Sequence, residues 1–210
     1  MPSKYTYLLD PGHSGMVNGV YKTPGKRSPK FEDGSVLYEG VNNRDNVNRI
    51  LKACDAEGIN AIDIVNSNED VPLTERVKRA NLLAKSAKCV YISIHSDANG
   101  DGVSWDQASG LSVYTSPGQT NSDKFAQLTI DALQENFKET VKWRTDNTDK
   151  DEDKEANFYV LEKTTCASIL MELGFHTNKD EAKKMLTEEW KNNIVKSVIS
   201  AIKKWEELNK

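Results

Sequence analysis

Four residues of this 210-residue chain combine chemistry with suggestive placement: His13, Glu39, His95 and Glu172. His13 sits in Asp10-Pro11-Gly12-His13-Ser14-Gly15, straight after an apolar run over residues 5–9. Glu39 stands just before a long amphipathic stretch, and His95 closes Val90-Tyr91-Ile92-Ser93-Ile94. Two imidazoles and one carboxylate make the three-ligand set of a catalytic zinc ion, which leaves a fourth position for water. Glu172 follows the apolar run 167–171 and is placed to handle protons beside such an ion.

Each residue also has a plainer reading. A lone histidine is more often structural than a ligand, but the Pro-Gly and Ser-Gly around His13 bare its imidazole at a loop entrance. A charged imidazole after a buried strand is costly, so a neutral, metal-bound His95 is a natural resident there. Glutamates before helices often act as charge partners of the helix N-terminus, and spacing alone leaves Glu39 open between that role and a ligand role. A carboxylate in the apolar setting of Glu172 is paired, metal-facing or held partly protonated.

These residues need elements to hold them. Residues 5–9 read as a first strand and 14–38 as a long loop, of a length that is more often functional than idle. A helix from Asn42 places Val47, Ile50, Leu51 and Cys54 on one face and stops near Gly58. Residues 61–65 form a strand, and 73–85 a helix with Leu73, Val77, Ala80 and Ala84 inward and its lysines and arginines outward. Residues 89–94 read as a buried central strand and 111–115 as a fourth, with a helix through Phe125, Leu128, Ala132 and Leu133 between them and two short strands at 158–161 and 168–172. A C-terminal helical region runs from Met185 to Trp205. The alternation predicts one α/β domain over residues 1–210, a twisted, mostly parallel sheet flanked by helices, with no separate wall-binding domain. His13, His95 and Glu172 then all lie beyond the carboxyl ends of strands, where sites in such sheets collect.

Composition narrows the classes. A net charge of -4 and a pI of about 5.5 give no basis for non-specific attraction to nucleic acid or an anionic membrane. No run is apolar enough for membrane insertion, and the N-terminal apolar stretch is too short for a signal peptide, so cytoplasmic synthesis is expected. Cys54, Cys89 and Cys166 are odd in number and lie in apolar patterns, as buried thiols of a reducing compartment do. Monomer is the expectation for a chain of this size.

In order, Asp10-Pro11-Gly12-His13-Ser14-Gly15, Glu39 with Asn43, Leu73-Thr74-Glu75-Arg76 leading to Ala80-Asn81, Ser93-Ile94-His95-Ser96-Asp97-Ala98 and Glu172-Leu173-Gly174-Phe175-His176-Thr177-Asn178 resemble the zinc-dependent N-acetylmuramoyl-L-alanine amidases of the amidase-3 type. The resemblance runs from Tyr7 to the final helix. It implies that His13, Glu39 and His95 bind one zinc ion and that Glu172 is the catalytic glutamate. It also implies peptidoglycan as substrate, cut between N-acetylmuramic acid and L-alanine. The free-standing form is similar to phage or prophage endolysins, which reach the cell wall after release. A bacterial autolysin or sporulation amidase is the alternative. A non-catalytic wall-binding module would have lost a ligand or the glutamate, and all four are present.

Other residues carry weaker expectations. His176, where many relatives hold an apolar residue, reads as a group beside the metal or facing substrate. Trp105, Trp143 and Arg144 are candidate walls of a substrate groove. The acidic segment 146–155 resembles a calcium loop only loosely, lacking the glycine and the distant bidentate Glu, and reads as a solvated loop near the substrate cleft. Lys203, Lys204 and Trp205 read as a solvated amphipathic end rather than a wall-affinity patch.

Overall fold

The computed structural model describes residues 3–148 and 151–210, the side chain of Glu139 excepted. In chain order its elements are β1 (Thr6–Pro11), β2 (Met16–Val17), β3 (Val20–Tyr21), α1 (Glu39–Ala56), β4 (Asn60–Asp63), α2 (Leu73–Ala84) and β5 (Cys89–Asp97). There follow β6 (Leu111–Thr115), α3 (Asn121–Phe137), β7 (Lys154–Glu155), α4 (Tyr159–Lys163), β8 (Ala167–Phe175), α5 (Lys179–Met185) and α6 (Glu188–Leu208). The main sheet has six strands in the order β4-β1-β5-β8-β6-β7, parallel throughout except where β6 runs against β8. The expected single α/β domain with a mostly parallel sheet is what is observed.

Strand alternation sorts the side chains into two unequal cores. Tyr7 and Leu9 of β1, Val90, Ile92 and Ile94 of β5, and Ile169 and Met171 of β8 join α1, α3 and α6 in the larger core. Leu8, Tyr91 and Leu170 point to the other face, where a smaller core forms with α2 and α4. Successive strand residues face opposite ways, so Asp10, Ser93, His95 and Glu172 belong to the second, thinner layer. There α4 is only five residues long and leaves room for a cavity.

Several boundaries differ from the sequence expectation. Residues 158–161 were expected as a strand, but Tyr159–Lys163 is helical, with Phe158 extended as its cap. A short apolar run fits either state, and here β6 and β8 already have strand neighbours on both sides. Val160 and Leu161 therefore bury against the second core as one helical turn. α1 begins at Glu39 rather than Asn42, so the acidic residue lies inside the first turn. β4 stops at Asp63 because its Oδ1 accepts the N–H groups of Val65 and Asn66, turning the chain out of the ladder. The C-terminal region is two helices, with Thr187 Oγ1 accepting the Trp190 N–H to start the second.

In α2 the expected inward and outward sets are partly exchanged. Leu73 is 53% exposed, while Arg76 is 2% exposed and ranks among the largest buried side chains. The long loop 14–38 is held by specific bonds: Ser28 N–H donates to Leu37 O, and the Tyr21 hydroxyl donates to Lys26 O while accepting from Gly40 N–H. Cys54 and Cys89 are buried free thiols and Cys166 is partly buried.

Candidate metal centre

A buried ion pair holds the turn that carries His13. Asp10, at the end of β1, accepts from Arg76 Nη1 at 2.5 Å, from the Tyr91 hydroxyl at 2.6 Å and from Ser93 Oγ at 2.7 Å. Arg76 also donates to Pro11 O at 2.7 Å and His13 O at 3.3 Å, and so holds the turn that carries His13. Burial opposes the charge on Asp10, but Arg76 and the two hydroxyls hold its carboxyl below the ordinary range. His13 has a φ of 61°, a left-handed conformation that is rare for a side-chain-bearing residue and here is held by surrounding bonds.

Close backbone approach brings the second histidine in. A Cβ on Gly12 would lie 2.1 Å from His95 Cε1, so only glycine lets the turn pass over that ring. The His13 and His95 rings meet edge to face, centroids 5.0 Å apart. Gly40 does the same service for Glu39, since a Cβ there would lie 1.9 Å from Ser14 O.

Glu39 is 1% exposed. Its Oε1 lies 3.3 Å from His13 Nε2 and 3.2 Å from His95 Nδ1, and accepts the Ser96 N–H at 3.1 Å. Burial works against its charge, but hydrogen bonding and charge from His13 and His95 hold it well below the ordinary carboxylate range. One ligand atom each from His13, Glu39 and His95 falls within 4.8 Å of the others. Glu39 Oε2 is buried with no hydrogen-bond partner. Two imidazole nitrogens, a carboxylate and an orphaned buried oxygen are what a zinc-type ion would satisfy.

Glu172 pairs in register with His95 across β5 and β8. It lines a cavity of about 260 Å³ with Asp10, Gly12, His13, His95, Lys26, Arg76, the cap residue Phe158 and the α4 residues Tyr159 and Val160. Burial first, then the charges of Glu39 and Asp97, push its carboxyl well above the ordinary range, while Lys26 pulls the other way. His176 is 1% exposed, with Nδ1 3.1 Å from Ser96 O and 3.9 Å from Glu39 Oε2, and it lies outside the three-residue cluster. Its place is behind the Glu39 carboxylate.

The Amidase_3 family profile, described as N-acetylmuramoyl-L-alanine amidase, matches residues 8–204. The chain belongs to this family. An uncharacterised cell wall amidase of Bacillus anthracis is 26% identical over 203 residues, covering 94% of this chain and 34% of that protein. The N-acetylmuramoyl-L-alanine amidase LytC of Bacillus subtilis is 25% identical over 197 residues, covering 92% and 34%. The chain thus spans about a third of the length of both relatives. The crystal structure of N-acetylmuramoyl-L-alanine amidase from Clostridium difficile 630 shares the fold with a TM-score of 0.79 at 22% identity, covering 99% of this chain and 100% of that one.

Within this Amidase_3 domain the three expected ligand residues converge, and Glu172 joins them at the cavity. The expected groove residues do not line it: Trp105 stacks on Phe31 with centroids 4.9 Å apart, Trp143 packs on the larger core, and Arg144 lies over the Phe175 ring at 5.0 Å. Sequence reasoning missed the Asp10–Arg76 pair and the α4 rim. Arg76 had a signal, since it lies one helical turn before the inward Ala80 and so shares its face. The rim had none, because Phe158 and Tyr159 lay in a segment read as strand.

Proposed function

We propose that the chain hydrolyses peptidoglycan at the amide between N-acetylmuramic acid and L-alanine, with zinc held by His13, Glu39 and His95 and with Glu172 as the proton-transfer residue. The observation that carries this reading is the meeting of those three side chains at the mouth of a cavity lined by Glu172, in an Amidase_3 chain. Zinc bound there would supply Lewis acidity, making water a nucleophile near neutral pH and offsetting negative charge on the amide oxygen. Glu39 contributes the anionic donor, held ionised and oriented by the Ser96 N–H. Glu172 takes the proton of the attacking water and returns it to the departing L-alanine nitrogen. Phe158, Tyr159 and Leu73 present partly exposed apolar surface at this cavity, which suits the alkyl parts of a stem peptide.

Release of the wall during phage or prophage lysis is one role we infer for such a hydrolase. The likeness to bacterial cell wall amidases favours the alternative, remodelling by an autolysin or sporulation amidase. Mass spectrometry of digested peptidoglycan tests the reaction. Zinc-loaded wild type should release free stem peptides beginning at L-alanine, and His95→Ala should release none. Glu172→Gln should keep zinc and fold while losing about 10²–10⁴-fold in rate. Intact glycopeptides from folded, zinc-loaded wild type would sink the reading.

A further inference from the structure

The acidic segment 146–155 is a loop up to β7, with Asn147 and Thr148 exposed and residues 149–150 outside the described residues, but Asp153 within it is buried. β6 runs antiparallel to β8, so its last residue, Thr115, lies toward the end of the sheet opposite the one where His95 and Glu172 emerge. Around Thr115 three carboxylates converge from separate stretches of chain. Asp123 comes from the first turn of α3, and Asp151 and Asp153 from the loop before β7. One oxygen from each lies within 4.8 Å of the others.

The cluster is short of donors. Thr115 Oγ lies 2.6 Å from Asp153 Oδ2 and 3.2 Å from Asp123 Oδ1, but its single proton serves only one of them well. Asp123 Oδ2 accepts the Thr120 N–H of the helix capping box, and Asp151 Oδ2 accepts from Gln119 Nε2 at 2.9 Å. Asp153 is only 1% exposed, and its Oδ1 and that of Asp151 are buried with no donor; the two carboxyls lie within hydrogen-bonding reach of each other and satisfy one another only when one is protonated. Native interiors rarely strand such oxygens unless something occupies the space between them. Among the described residues no cation pairs with any of the three. Burial, with Asp151 and Asp123 beside it, pushes the Asp153 carboxyl up to about 7.

We propose that Asp123, Asp151 and Asp153 form an oxygen-only site for a hard divalent cation of the calcium type, distinct from the His13–Glu39–His95 centre. A set with no nitrogen or sulfur donor selects hard ions, and calcium accepts irregular shells of six to eight oxygens completed by water. The α3 dipole opposes a cation, but its roughly half charge is small against three carboxylates. The missing glycine and distant Glu of a helix-loop-helix site do not count against it, because this site closes two segments onto each other. An ion here fastens the loop to α3 and β6, and the same segment runs on through β7 to Phe158 and Tyr159 at the cavity.

Calcium titrated into zinc-loaded protein, read by calorimetry and by thermal melting, tests the site. Wild type should take up one calcium per chain, and saturating calcium should raise the melting midpoint by roughly 5 °C. Asp153→Asn should lose both effects. Asp151→Asn, at a less buried position, should lose them too and keeps the test valid if the first variant folds poorly. His95→Ala should retain both. Folded wild type that takes up no calcium overturns the proposal. So does calcium binding that survives Asp151→Asn or disappears in His95→Ala.

Discussion

Glu39 and Asp153 are both carboxylates exposed by 1%, in clusters of three potential ligands, yet their acidities move in opposite directions. Burial raises both, so burial does not set the difference. Around Glu39 stand two imidazoles and a backbone N–H aimed at one oxygen, and these hold it ionised well below the ordinary range. Around Asp153 stand two further carboxylates and one hydroxyl, and its carboxyl rises to about 7. One site is prepared with mixed nitrogen and oxygen donors, the other with oxygen alone. Asp10 is a third buried case: Arg76 pairs it directly, and it needs no ion at all. The neighbours decide whether a buried acid is a finished ion pair, a ligand or a proton holder.

Removing the built-in cation is the strongest way to break this contrast. Arg76→Met leaves Asp10 as an uncompensated buried charge and should cost about 3–5 kcal/mol in denaturant unfolding. A loss under 1 kcal/mol would mean that the hydroxyls of Tyr91 and Ser93 satisfy Asp10 without it. Gly12→Ala should separate the two clusters by crowding the His95 ring, which lies nearest to a Cβ there. Zinc affinity should fall by about 10–100-fold, while calcium uptake stays as in wild type. Equal damage to both would show that the substitution unfolds the domain rather than displacing the ring.

The oxygen-only cluster should also show a pH dependence in calcium-free protein. Asp153 is raised from 3.8 to about 7, so the folded state holds its proton more tightly than the unfolded chain. That contribution to stability is full below pH 3.8 and is lost as pH rises through about 7. Asp153→Asn should flatten this limb of the melting-midpoint profile, as should calcium added to wild type. A limb of unchanged slope in the variant would assign the titration to another group.

Local pattern made much of this architecture readable. The run 89–94 announces a buried central strand, and turn-forming neighbours mark the loop that bares His13. Glu39 was ambiguous from spacing, since a glutamate in a first helical turn has an ordinary role there. Its contacts with His13, His95 and Ser96 come from distant strands. Residues 158–161 misled because four apolar residues suit a strand as well as a helical turn, and the occupied sheet neighbours settled the matter. In the acidic segment only Asp153 departs from the solvated reading, because composition reports average solvation while β6 residue Thr115, from elsewhere in the chain, meets that one carboxylate.

The sequence by itself determined the alternation of strands and helices, the order of the family motifs and the parity that puts His95 and Glu172 on one sheet face. These rest on periods of two and 3.6 residues, which are local properties of the backbone. Tertiary structure decided which face was thin enough to hold a cavity, that Arg76 would turn inward to Asp10, and that Asp123 would meet Asp151 and Asp153. Those outcomes depend on strand order, on the antiparallel setting of β6 and on close glycine contacts. Such contacts join residues far apart in the chain, which no local period encodes.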